Sequence, residues 1–245
     1  MNTQNTIEKM KQLKLFGMSE IYHQSLSEKL FKEYTTDEFL ALLVDTEWDR
    51  RENKKIDNLH KSAGFKFPAQ STNIDYSTNR NLDKNMFERI LTLQFIQQSE
   101  NLIITGPSGI GKSYLAQAIG QCAVKKLFKT IYYNTGKLNE EIKLNKIQGN
   151  YLKLLKKIQN CDLLIIEDFG LHSMDNHYRQ AFFDIVEERH ERKSTIVTSQ
   201  FPVKAWHEII GESTIADAIL DRLVFCSHRI ELTGESMRKK KKLKG

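Results

Sequence analysis

The run Asn101-Leu102-Ile103-Ile104-Thr105-Gly106-Pro107-Ser108-Gly109-Ile110-Gly111-Lys112-Ser113-Tyr114 decides the fold. A short apolar strand feeds a complete G-x-x-x-x-G-K-S, and Tyr114-Leu115-Ala116-Gln117-Ala118 continues as a helix. That strand–loop–helix context is what the motif requires. Glycines let successive backbone N–H groups turn inward, and the helix N-terminus adds its positive end, so the loop suits polyphosphate. We take residues Gly106, Pro107, Ser108, Gly109, Ile110, Gly111, Lys112, Ser113 and Tyr114 as the nucleotide cradle. Lys112 is expected to neutralise β- and γ-phosphate oxygens, and Ser113 to ligate Mg²⁺ through its hydroxyl.

Downstream, Leu163-Leu164-Ile165-Ile166-Glu167-Asp168-Phe169-Gly170 reads as a buried strand ending in two acids. At the carboxyl edge of a parallel sheet these acids would stand beside the phosphate loop. Glu167 is expected to hold the metal through water and Asp168 to orient the attacking water. Strict strand alternation would send the two side chains opposite ways. Apolar runs at 102–105, 130–133, 162–166, 195–198 and 229–232 are each separated by enough chain for a helical crossover. They predict an α/β fold with a five-stranded, mostly parallel sheet between helices.

The flanking chain reads differently. Residues 1–64 predict a small all-helical domain, with Ile7, Met10, Leu13 and Ile21 on one stripe broken near Gly17. The capping box Thr35-Thr36-Asp37-Glu38 opens a further helix. Both Trp48 and Trp206 read as packing anchors. Pro, Ser, Thr, Asn and Gln dominate 65–80, which we read as a linker to an ATPase domain over 81–237.

The chain has 245 residues, 40% of them apolar and 28% charged, with a net charge of +6. Six positive charges in the tail 238–245 account for that net value, and a second excess lies at 137–157, where six lysines face only Glu140 and Glu141. Clustered lysines release counterions from phosphates, so Lys137, Lys143, Lys146, Lys153, Lys156 and Lys157 are candidate contacts to double-stranded DNA. The longest aliphatic run, Leu163–Ile166, is far short of the roughly 20 residues of a membrane helix. With no apolar leader and three scattered cysteines, the cytoplasm is the expected compartment.

An Asn-Lys-x-Asp base-reading motif is missing at 145–148, which sets GTP aside, and a small-molecule kinase would need a lid that only Arg189–Lys193 could supply. The order of features then becomes specific: the phosphate loop, the Glu-Asp strand, Thr195-Ile196-Val197-Thr198-Ser199-Gln200, Leu220-Asp221-Arg222-Leu223 and Gly234-Glu235-Ser236-Met237-Arg238-Lys239. Together with Leu13-Lys14-Leu15-Phe16-Gly17-Met18, these resemble the IstB-type helper ATPases of insertion sequences, relatives of DnaC helicase loaders in the AAA+ superfamily. The resemblance implies an ATP- and Mg²⁺-dependent ATPase that oligomerises on duplex DNA and recruits a cognate transposase. The alternative is a loader of a replicative helicase, with residues 1–64 gripping the partner. It further implies Gln200 or Thr198 as sensor 1, Arg222 as a finger reaching a neighbouring subunit, and Arg238 as sensor 2. The Glu167-Asp168 order departs from the Asp-Glu or Asp-Asp of such proteins, which predicts slow, DNA-stimulated hydrolysis.

Overall fold

The computed structural model describes residues 3–28, 33–225 and 227–237. Arg238 and the basic tail 238–245 lie outside them. Contacts divide the chain into two compact units, 1–58 and 59–245.

The first unit is helical: α1 (Thr3–Gln12), α2 (Phe16–Glu28) and α3 (Thr36–Ala63), whose last turn belongs to the second unit. The capping box forms as predicted. Thr35 N donates to Glu38 Oε2 at 2.7 Å and Glu38 N donates to Thr35 Oγ1 at 3.3 Å. The break between the first two helices comes earlier than expected, at Leu13–Leu15, where Lys14 adopts φ 60°. Gly17 instead lies within α2, and its N–H donates to Glu47 Oε2 at 2.7 Å. Leu13 is 69% exposed and does not join the buried stripe. Trp48 is not a packing anchor either, since it is 64% exposed on α3. Charged neighbours every turn leave that helix no continuous apolar face around it.

In the second unit, α4 (Lys84–Leu91) and α5 (Gln94–Gln97) precede an alternation of strands and helices. These are β1 (Asn101–Thr105), α6 (Lys112–Lys125), β2 (Thr130–Asn134), α7 (Thr135–Ile147), α8 (Tyr151–Gln159) and β3 (Leu163–Phe169). Then come α9 (Asn176–Arg189), β4 (Ser194–Ser199), α10 (Trp206–Ile210), α11 (Ser213–Val224) and β5 (Ser227–Glu231). The sheet order is β2-β3-β4-β1-β5, and every pairing is parallel. Alternation divides the buried strands between two cores. Leu102, Ile104, Leu163 and Ile165 face the side of α4 and α6, while Ile103, Leu164, Ile166 and Val197 face α7 to α11. Trp206 is fully buried on that second side, its ring 4.6 Å from Phe169, as its reading predicts.

Residues 65–80 have almost no regular structure, in keeping with their composition, yet they are not a free tether. Lys66 N donates to Gln117 Oε1 at 2.8 Å, Gln121 Nε2 donates to the Phe67 carbonyl at 3.1 Å, and Phe67 stacks on Tyr114. Ala69, Ile74 and Arg80 are buried. A polar stretch can still be held when side chains of a neighbouring helix satisfy its backbone groups, as α6 does here.

Candidate nucleotide site

An open cleft of about 1230 Å³ lies at the carboxyl edge of the sheet. Ser108, Gly109, Gly111, Lys112, Ser113 and Tyr114 form one wall, and Glu167, Asp168 and Gln200 another. The remaining wall comes from residues 66–80, with Met237 also at the rim. Loops at strand ends gather here because a parallel sheet puts all its carboxyl termini on one edge.

Within the cradle, Lys112 Nζ donates to the carbonyls of Gly106 and Pro107 at 2.7 and 2.9 Å. Gly109 sits at φ 78° against Ser236, leaving no room for a side chain. Ile110 contributes backbone to the loop while its side chain is fully buried in the core beneath. Met237 N donates to the Gly109 carbonyl at 2.9 Å, so the segment that follows β5 is stitched to the loop.

The acids depart from simple alternation. The β3–β4 register shifts between Ile166 and Phe169, and Asp168 adopts φ 61°. Both residues thus line the same cleft, where strict alternation would have set them on opposite sides. Glu167 is buried and accepts a hydrogen bond from the Tyr132 hydroxyl. Burial first, and then that bond to Glu167, hold the Tyr132 phenol well above its ordinary pKa, so it remains a donor. Asp168 accepts from Asn134 Nδ2 at 2.9 Å, and its own N–H donates to Thr198 Oγ1 at 3.3 Å. Asn134 lies opposite Glu167 in the β2–β3 register and also caps α7 by accepting from Gly136 N.

Of the two sensor-1 candidates, Gln200 lines the cleft, whereas Thr198 is buried with its hydroxyl committed to Asp168. Arg222 on α11 is not among the cleft's residues. It pairs with Glu187, donates to the Ala218 carbonyl at 3.0 Å and lies over Phe183. All six candidate lysines are exposed on α7 and α8. Lys143 pairs with Asp175 at 2.9 Å and Lys157 with Glu141 at 3.5 Å.

Sequence reasoning missed Tyr132, Asn134 and Arg80. Two polar positions at i and i+2 of a buried strand were the available signal for the first two. Nothing local marked Arg80.

The donor set suits a nucleotide with a hard cation. The cleft's residues bring one hydroxyl, two carboxylates and an ammonium group, and such a cation takes its remaining oxygens from phosphate and water. No helix among the described residues is long and apolar enough to cross a membrane.

Comparison with known proteins gives the fold and the family. The DnaC helicase loader structure covers 71% of this chain and 98% of its own, at 18% identity and a TM-score of 0.51. AMPPCP-bound DnaA from Aquifex aeolicus aligns over 74% of this chain and 56% of its own, at 21% identity and a TM-score of 0.58. Both are similar in fold, that of the AAA+ ATPases. A putative insertion sequence ATP-binding protein of Sinorhizobium fredii is 37% identical over 98% of each chain. Residues 8–245 match the family described as IstB-like ATP binding protein, and the chain belongs to that family.

Proposed function

We propose that this chain is an ATP-dependent helper of transposition. In its ATP state it forms a homo-oligomer on double-stranded DNA, in the cytoplasm, and recruits and activates a cognate transposase. ATP hydrolysis then releases the assembly. The observation that carries this reading is the convergence of Lys112, Ser113, Glu167, Asp168 and Gln200 on one cleft in a chain of an insertion-sequence family. Ser113 and Glu167 would hold Mg²⁺, Asp168 would orient water, and Gln200 would sense the γ-phosphate. Arg222 would act on a neighbouring subunit's nucleotide and Arg238 on its own.

The exposed lysines of α7 and α8 support DNA binding through backbone charge rather than base edges. The fold shared with a helicase loader does not discriminate between the two partner classes, because partner choice is made on surfaces outside the ATPase core.

ATP turnover with and without duplex DNA, alongside particle mass in a nonhydrolysed ATP analogue, tests the reading. Stimulation by DNA and large ATP-dependent particles are expected, with DNA affinity falling steeply as salt rises. A monomer whose turnover ignores DNA overturns it.

A further inference from the structure

Helices α7 and α8 meet at a corner, 148–150, that projects into solvent: nothing approaches within 4 Å of the position a Cβ would take on Gly149. Each helix already has a complete inner face, Leu138 and Ile142 on one and Leu154 and Ile158 on the other, all buried. Yet Leu144, Ile147 and Leu152 stand 57, 83 and 75% exposed around the corner. Leu144 and Ile147 are neighbours at i,i+3 on the last turns of α7, on the side away from its buried residues. Single exposed aliphatic residues are ordinary, but three within nine positions on a protruding corner are surplus to the fold.

Their surroundings select the partner. Lysines flank the corner on both helices, and Lys153 and Lys156 form no ion pair among the described residues. An apolar protein surface would not call for that excess of positive charge. Duplex DNA offers the matching pattern, with phosphates outside and apolar base faces between steps. Aliphatic side chains that enter there unstack a step and leave the flanking cations on the backbone.

Resting on the DNA-binding reading above, we propose that the α7–α8 corner is a DNA-unstacking apex. Ile147 and Leu152 enter between base pairs while the flanking lysines hold the phosphates.

The test uses the full chain, a nonhydrolysed ATP analogue and duplex DNA carrying 2-aminopurine, whose fluorescence rises when its base unstacks. Wild-type binding should raise the signal about twofold or more. The double variant Ile147→Ser/Leu152→Ser should melt like wild type yet lose the rise even at protein concentrations that saturate the duplex. Lys153→Ala/Lys156→Ala should instead lose affinity by about tenfold or more. A wild-type complex with no fluorescence change overturns the apex and leaves DNA binding intact. Loss of ATP-dependent self-association in the serine variant, with its DNA signal unchanged, also overturns the apex by making the corner a contact between copies. Failure of wild type to bind duplex at any salt overturns the DNA-binding reading itself, and the apex with it.

Discussion

The guanidinium of Arg80 lies against the face of Gly111 on which a side chain would stand, Nη1 being 2.6 Å from the position of a Cβ. Arg80 is buried and donates to the carbonyls of Ile110 at 3.1 Å and Asp75 at 3.0 Å. The segment before the first strand is thereby keyed to the phosphate loop. Gly111 also adopts φ 106°, which side chains rarely tolerate. Gly111→Ala should therefore weaken ATP binding by about tenfold or more, the equivalent of about 1–3 kcal/mol of local strain. Titration with a fluorescent ATP analogue measures it, and wild-type affinity in the variant would mean Arg80 simply gives way.

Tyr132→Phe removes the donor that tethers Glu167. A hydrogen bond to a charged acceptor contributes about 1.5–3 kcal/mol, so turnover should fall about tenfold or more. ATP affinity should stay within about twofold, because Lys112 and the loop are untouched. Separate measurement of kcat and nucleotide Kd decides the matter. A variant that melts earlier but turns over normally would reduce Tyr132 to packing.

Arg222→Ala breaks the pair with Glu187 and the contact over Phe183. Pairs of this partly exposed kind contribute about 0–1 kcal/mol, so the melting temperature should barely move. Oligomeric turnover should nonetheless drop by about 10³ if the arginine neutralises charge in a neighbour's transition state. Mixing it with a Lys112→Ala variant should restore part of the activity, since each supplies what the other lacks. No recovery and no loss would confine Arg222 to its own subunit's surface.

Bonds from the Ser77 hydroxyl, the Thr78 hydroxyl and the Ser77 N–H lower the pKa of Asp75 to about 2. A depressed carboxyl pKa stabilises the fold fully above its unfolded value, near about 4, and loses that contribution as pH falls through its folded value. The difference in melting temperature between wild type and Asp75→Asn should thus be constant from about pH 5 to 8 and shrink below about pH 4. A difference that varied within the neutral range would assign the turn's stability to another group.

Much of the candidate nucleotide cleft was legible because its signals are local. Gly106–Ser113 and Leu163–Asp168 each carry backbone geometry and chemistry within a few consecutive residues. The capping box at Thr35 and the burial of Trp206 were readable for the same reason. Trp48 was misread because an aromatic residue on a helix says nothing about what packs against it. The contacts that hold 65–80 against α6 were hidden for a similar reason, since Gln117 and Tyr114 lie far along the chain from the backbone groups they satisfy.

Sequence by itself determined the strand–loop–helix cradle, the parallel sheet and the identity of the acids, because period-two burial and glycine spacing are properties of neighbouring residues. Only the tertiary structure decided that Asp168 joins Glu167 in one cleft, through a register shift against β4. It alone set Tyr132 and Asn134 on those acids, Arg80 on Gly111, and three aliphatic side chains outside the core. These are contacts between residues 31 to 35 positions apart or surfaces left over after packing, and they arise only once the chain has closed on itself.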